Sequence, residues 1–386
     1  MLGKKICTFW GVVVVFGWIL SAPSVLAESP QGRWDRVNDC GFWTPLESAQ
    51  TNKKDDQPLA TWTGTCVDDR IHGPGTLVLG QQSNKFHLKG DFISGKLQGD
   101  GVLEGYIMGQ SDPTYVKYRG PFKDSEPHGH GYIQFRDMGV YTGNFENGVL
   151  HGKGRLGLSN GTTIEGEFQD WTLSGHGTIT YGDGWQYVGG IKRAKPHGQG
   201  VEVLADGGRY EGEFKNGQYH GWGVKISANG TRREGEFRDG SLNGRGVLIK
   251  SDGTRREGIF IDGVLNGEGV VIFDDGLRFE GSFKGGLLSG PGRAVFPSGS
   301  RYEGDFDKGV ISGSGVFVFS HGLRLEGEFL DNQLQGHGTI TFADGNSCEG
   351  EWQQGLLIGV GTGFVNGQPH QCTMDDDGDI AFNTDD

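Results

Sequence analysis

The chain is poor in apolar residues, with 34% hydrophobic residues over a length of 386. Length alone would allow two or three ordinary domains, but this composition argues against conventional cores. After Leu20 no apolar run is long enough to cross a bilayer as a helix. Basic residues are also in deficit: 35 Lys and Arg face 49 Asp and Glu, a net charge of −14. That excludes a phosphate-tracking basic face for nucleic acid and argues against simple adsorption to anionic lipid. Proline is scarce, at 12 residues, and glycine does not recur at every third position, so a collagen helix is excluded. Aromatic residues are not lacking. They make up 11% of the chain, 23 of them Phe, which excludes a disordered polymer. Glycine is the one residue in large excess, at 73 copies against a usual ~7% of a chain. Glycine with regular aromatics predicts many short strands and tight turns.

The N-terminus reads as a targeting segment. Lys4 and Lys5 precede an apolar run from Ile6 to Leu20, and Val25-Leu26-Ala27 supplies a small-residue cleavage site. Cleavage is expected after Ala27, which defines a signal peptide over 1–27 and export to a periplasm or medium. The alternative is an uncleaved N-terminal membrane anchor. Cleavage removes two lysines and no acid, moving the net charge from −14 to −16.

An internal repeat dominates the rest. Taking the residue two before glycine in x-Gly-x-Phe as the anchor, anchors fall at Trp62, Leu88, Tyr118, Tyr141, Ile164, Tyr187, Tyr210, Arg233, Arg256, Phe279, Tyr302, Leu325 and Cys348. From Tyr118 onward the step is 23 residues throughout; the first two steps are 26 and 30. Within a unit, Tyr210, Gly212 and Phe214 alternate with Glu211 and Glu213, Asn216-Gly217 follows, and Tyr219, Gly221 and Gly223 alternate again. Period 2 interrupted by Asn-Gly reads as a hairpin with a type I′ turn. Asn229-Gly230 then joins one hairpin to the next. The predicted fold is all-β: an elongated antiparallel hairpin array in a single twisted sheet, with about 13 repeats of 23 residues over 62–368. A cap segment over 28–61 and an acidic tail over 369–386 flank it.

Thirteen units of two strands, each strand about 4.8 Å from the next, predict an array on the order of 120 Å long. Cys66 and Cys348, in the first and last units, are then too far apart to bridge. The expected disulfides are the local pairs Cys40–Cys66 and Cys348–Cys372, each stapling one end of the array.

These units resemble the MORN (membrane occupation and recognition nexus) repeat, whose pattern is Tyr-x-Gly-x-Phe/Trp, a turn, then Gly-x-Gly. Tyr141, Gly143, Phe145, Gly148, Gly152 and Gly154 carry it fully. So do Tyr210 to Gly223 and Tyr302 to Gly315 at the same offsets. Arg233 and Arg256 depart from it at the first aromatic, Ile191 at the Phe, and Trp171 and Ala194 at the turn glycine. Cys40 with Trp62-Thr63-Gly64-Thr65-Cys66 is similar to the start of exported bacterial proteins with this repeat. The resemblance implies a protein-interaction or self-association module, in some relatives associated with membranes or phosphoinositides. Some relatives append a kinase or methyltransferase domain, for which no residues are left over here.

Several patterns resemble chemistry. His72, His128, His151, His197 and His220 recur before Gly-x-Gly, but other units place Ser174, Asn243 or Gln335 there. Neighbouring units also hold such imidazoles about 10 Å apart, too far for one zinc ion. Gly152-Lys-Gly-Arg-Leu-Gly157 matches a dinucleotide fingerprint but leads into another turn instead of a helix. The pairs Glu165/Glu167, Glu211/Glu213, Glu234/Glu236 and Glu326/Glu328 could serve as glycosidase carboxylates, but so many equivalent pairs single none out. Asp375 to Asp379 could ligate Ca²⁺ but lacks the pattern of a helix–loop–helix calcium site. Asn160-Gly-Thr162 and Asn229-Gly-Thr231 are glycosylation sequons that hairpin turns already explain. No cofactor, no metal and no catalytic residue is expected. The expected interaction face is Tyr141, Phe145, Tyr210, Phe214, Tyr302 and Phe306; the alternative is that these residues only hold neighbouring hairpins together. Arg232, Arg233, Arg255 and Arg256 are candidate contacts to a lipid or a partner. The expected partner is a protein or a second copy of the chain, with a membrane surface as the competing reading.

Overall fold

The computed structural model describes residues 33–37, 40–44, 60–80, 85–108, 113–136, 138–375 and 378–383. The expected signal peptide, most of the 28–61 segment and part of the acidic tail lie outside the described residues. Those described form 33 strands and no helix. They divide into two compact units: 1–206 with 213–217, and 207–212 with 218–386. Each is built from the same hairpin.

The hairpin at Arg301–Asp307 and Val310–Val318 shows the plan. Lys308 and Gly309 form its tip with φ of 49° and 89°, the type I′ geometry whose twist matches the flanking strands. The link to the next hairpin, Arg324–Leu330 and Gln333–Thr341, is a different turn. Phe319 N donates to Leu323 O at 2.8 Å and Gly322 N to Phe319 O at 3.0 Å, a three-residue loop closed by glycine in the left-handed region. In sibling links a side chain helps. Thr231 N donates to Asn229 Oδ1 at 3.1 Å and Thr254 N to Asp252 Oδ1 at 2.8 Å. Both sequon asparagines make this bond, and Thr162 and Thr231 are buried. Tips also bond from unit to unit: Gly263 N donates to Leu242 O, Gly286 N to Leu265 O and Gly309 N to Leu288 O.

The two strands of a hairpin do not alternate strictly. Gly304 pairs with Gly315, but Phe306 pairs with Ile311. One residue on the first strand therefore faces three on the second, a bulge. The first glycine of Gly-x-Gly sits in this bulge, with φ of 89° at Gly313 and 56° at Gly221. The expected alternation of Tyr219, Gly221 and Gly223 is broken there; Tyr219 and Gly223 face the core and Gly221 takes up the extra length.

This register lines up glycines across the sheet. In the second unit one glycine from each main strand, from Gly223 to Gly350, pairs with the next. In the first unit the same row runs from Gly131 to Gly200. Rings lie in the furrow these bare backbones leave. A Cβ built on Gly154 would stand 2.2 Å from Tyr141 Oη, and one on Gly315 would stand 2.2 Å from Tyr302 Oη. Where the anchor is not Tyr, a leucine of the second strand closes over the furrow, as Leu242, Leu265 and Leu288 do against Gly246, Gly269 and Gly292. Buried cross-strand pairs such as Phe260 with Leu265 and Phe283 with Leu288 complete the core face.

Both expected disulfides form, Cys40–Cys66 and Cys348–Cys372, with Cα atoms 5.9 and 6.1 Å apart. The strand Cys40–Thr44 runs along the first hairpin tips: Gly41 N donates to Asp69 O at 2.6 Å, Trp43 N to Gly95 O at 2.8 Å and Ser125 Oγ to Trp43 O at 3.4 Å. It covers groups that would otherwise stay open.

Candidate interaction surfaces

The aromatic residues expected to meet a partner are not at the surface. Tyr141, Phe145, Tyr210, Phe214, Tyr302 and Phe306 are all buried. Each ring is used within the array. Tyr302 meets Phe306 of its own hairpin edge-on at 5.2 Å and Phe329 of the next at 5.4 Å; Tyr141 meets Phe145 at 5.4 Å and Phe168 at 5.1 Å. The hydroxyls are spent too. Tyr118, Tyr141, Tyr187 and Tyr302 donate to the carbonyls of Pro121, Asn144, Gly190 and Asp305 at 2.6–3.2 Å, each next to the bulge. Burial pushes the phenols of Tyr141 and Tyr302 up to about 12 and those of Tyr118 and Tyr187 upward as well. The correction has a plain cause: a ring over two glycines is the packing unit of a sheet one layer thick, so it cannot also be the contact surface.

The opposite, outer face carries the acids. The first member of every expected carboxylate pair is in an ion pair: Glu165 with Arg155 at 3.1 Å, Glu211 with Arg209 at 2.6 Å, Glu234 with Arg232 and Glu326 with Arg324. Arg255–Glu257 at 2.5 Å and Arg278–Glu280 at 2.8 Å continue the series. The signal was an Arg-x-Glu recurring every 23 residues; reading glutamate pairs and arginine doublets separately hid it. Glu280 and Glu326 of this series line an open groove of about 880 Å³ in the second unit, together with Glu303, Asp305, Glu328, Arg293 and His337. No insertion builds the groove. It forms where small residues, Pro291 and Ser314, stand at a position held elsewhere by Trp222 and Arg245.

The arginine doublets are split between the two faces, as strand alternation requires. Arg232 and Arg255 belong to the outer-face ion-pair series. Arg233 and Arg256 take the tyrosine position on the core face, half-buried. Arg233 Nη1 donates to Ser227 Oγ at 3.3 Å, and Arg256 Nε is buried without a hydrogen-bond partner. The four do not form one basic patch.

The remaining candidates stay apart. The repeating histidines stand beside bulge glycines, and among the described residues no three His, Cys, Asp or Glu side chains are grouped to hold a metal ion. Gly152 to Gly157 lies within the strand Val149–Leu158. In the acidic tail, Asp379 N donates to Asp375 Oδ1 at 2.9 Å in a turn; Asp376 and Asp377 lie outside the described residues. A buried acid that sequence reading missed is Glu202, which accepts from Trp185 Nε1 at 3.0 Å.

Comparison with known proteins agrees with the repeat anatomy. The MORN repeat profile matches ten stretches, 118–137, 141–163, 165–186, 187–209, 210–232, 234–255, 257–278, 279–301, 302–324 and 326–347, which together exceed half of the chain. No curated protein matches the chain. Among solved structures, the TCP domain of SAS-4 (dCPAP) of Drosophila melanogaster, in complex with a proline-rich motif of Ana2 (dSTIL), is 14% identical. It aligns over 50% of this chain and 86% of its own, with a TM-score of 0.24. A streptogramin B lyase structure is 14% identical over 70% of this chain and 94% of its own, with a TM-score of 0.13. Neither likeness bears on the fold.

Proposed function

Because this chain belongs to the MORN repeat family, we propose that it is an exported, non-enzymatic scaffold that binds a protein partner, or a second copy of itself, through the outer face of its repeat sheet. One observation carries the reading: the aromatic face is consumed in holding hairpins together, so the outer face is the regular surface left to meet anything else. Two disulfides support an oxidising compartment, and the basic-then-apolar start of the chain supports export. One member of each carboxylate pair is in an ion pair with arginine, which supports reading the pairs as part of a repeated charged surface. Chemical cross-linking of the protein in its native envelope or medium, with the linked residues identified, tests the proposal. Cross-links to a partner from outer-face positions support it; a protein that cross-links to nothing there overturns it.

The membrane-surface reading keeps one observation in its favour, Arg233 and Arg256 without an ion-pair partner among the described residues. Against it stand the net charge of −14 and the pairing of Arg232 and Arg255 on the other face. Co-sedimentation with liposomes containing or lacking anionic lipid decides it, and binding that survives Arg→Ala at all four positions removes these residues from the account.

A further inference from the structure

The hairpin tips differ between the two units. On the outer face each tip presents two cross-strand residues, the last of the first strand and the first of the second. In the first unit three of these pairs are polar on both sides, Lys123/Glu126, Gln169/Thr172 and Lys192/Lys195. Val67, Ile93 and Val149 stand at three other tips, without the unbroken run seen in the second unit. In the second unit five consecutive tips each carry an aliphatic residue: Ile261 with Val264, then Leu287, Val310, Leu330 and Leu356. All but Val310 are 41–54% exposed. Their strand neighbours Phe260, Leu265, Phe283 and Leu288 face the core, so alternation fixes the aliphatic row on the outer face. Single exposed aliphatics need no explanation; a row repeated in register over five tips does.

Acids border the row. Asp305 and Asp307 precede Val310 on the same face, Glu328 precedes Leu330, and Glu351 precedes the Leu356 tip. Lys284 and Lys308 are the only lysines at these tips. The groove lined by Glu303, Asp305, Glu326 and Glu328 adjoins the row.

We propose that this row and its acidic border form a docking strip for a basic amphipathic α-helix of a partner protein. This rests on the scaffold reading above and names the partner chemistry. Geometry selects a helix. Tips recur every two strands, about 10 Å, and seven residues of α-helix rise about 10.5 Å. A helix with an aliphatic stripe of heptad period therefore delivers one anchor to each tip. Five tips accept about 28 residues, and lysine or arginine beside the stripe meets the acids. An extended strand fails on parity: three residues span about 10 Å, and alternate spacing turns every second anchor away. A polyproline helix keeps phase at three residues but docks into aromatic grooves, and this row is aliphatic.

The test uses the full chain and a synthetic helical peptide of about 28 residues with leucine at heptad a and d positions and lysine at the flanks. Binding is read by fluorescence anisotropy, and helix induction by circular dichroism. The proposal expects binding that falls roughly 10-fold or more in Leu287→Ser/Leu330→Ser/Leu356→Ser. It also expects a smaller loss and a weaker salt dependence in Asp305→Asn/Glu328→Gln. Lys192→Ser/Lys195→Ser at a first-unit tip should bind as the parent does. The changed side chains are exposed except Asp305 and Lys195, which are half-buried, and unchanged thermal unfolding verifies that each variant folds. Equal binding of a peptide with the same composition but leucines spread around the helix overturns the proposal. So does unchanged affinity in the triple serine variant, or self-association of the parent that this variant abolishes, which would make a second copy the occupant. A native cross-linked partner retained by the triple variant overturns the docking strip while leaving the scaffold reading intact.

Discussion

A methyl group added at Gly240 and one added at Gly315 meet different obstacles. Gly240 has φ of 87° at a hairpin tip, with nothing within 4 Å of a built Cβ. Gly240→Ala should cost only the left-handed backbone, about 1–2 kcal/mol. Gly315 lies under Tyr302, and its Cβ would stand 2.2 Å from the phenol oxygen and 2.5 Å from Cζ. The ring would have to leave its furrow, giving up its bond to Asp305 O, so Gly315→Ala should cost on the order of 3 kcal/mol. Urea unfolding of the two variants checks the order. In a Tyr302→Leu background the Gly315→Ala cost should shrink, a coupling that a double-mutant cycle reads directly. The same phenols set an alkaline limit. Their folded-state values are raised, to about 12 for Tyr141 and Tyr302, above an ordinary ~10. The stability they contribute is therefore complete below pH ~10 and is lost as pH rises through about 12. Unfolding followed by far-ultraviolet circular dichroism should begin in that window, and Tyr141→Phe/Tyr302→Phe should soften its pH dependence.

At the scale of the hairpin, the two units anchored on Arg233 and Arg256 interrupt the aromatic track. Arg256 stands at the sequence position of Tyr141 and Tyr302, but Leu265 lies over Gly258 and Gly269 in place of a ring, and Arg256 Nε is buried without a partner. Arg256→Leu should remove an uncompensated polar atom without displacing Leu265 from Gly258 and Gly269, and stabilise the protein by about 1–2 kcal/mol. Loss of stability on that change, measured by denaturant midpoint, would mean that the guanidinium is satisfied in solution. The hairpin itself was legible in the sequence because its signals are local: Gly-x-Phe every second residue and x-Gly at each tip. The pairing of Gly304 with Gly315 was not legible. Counted back from the two-residue tip, where Phe306 meets Ile311, Gly304 falls opposite Gly313, and only the bulge at Gly313 shifts the register by two residues to bring Gly315 opposite it. That rings pack against glycines was legible, but whether the aromatic face also stays open to a partner was not. Tyr302-x-Gly304-x-Phe306 and Arg301-x-Glu303-x-Asp305 have the same period, and the choice follows from rings lying on a glycine row that spans many strands. The arginine doublets misled for a related reason: adjacent residues in a strand belong to different surfaces.

Within each unit the described hairpins touch chiefly their sequence neighbours, so damage at one end should stay there. Cys348 and Cys372 make a concrete case. They join the strand Ser347–Gln353 to Gln368–Met374 across a separation of 24 residues. Both sulfurs are buried, and a Cβ on Gly361 would stand 2.9 and 3.1 Å from them, so the bridge also fills the furrow position that tyrosine occupies elsewhere. Opening a loop of that length costs about 3 kcal/mol through the entropy of the unfolded chain, and emptying the furrow adds to it. Cys348→Ser/Cys372→Ser should therefore raise amide exchange over 347–374 by at least a hundredfold while strands before 301 keep their protection. Hydrogen–deuterium exchange with peptide resolution measures both regions in one experiment. Because the tips, glycine row and aromatic furrow of the second unit depend on adjacent hairpins, a loss that spread evenly over all strands of that unit would show a cooperativity that neighbour-by-neighbour packing does not provide. A loss confined to the end would identify the disulfide as a cap on an otherwise open edge.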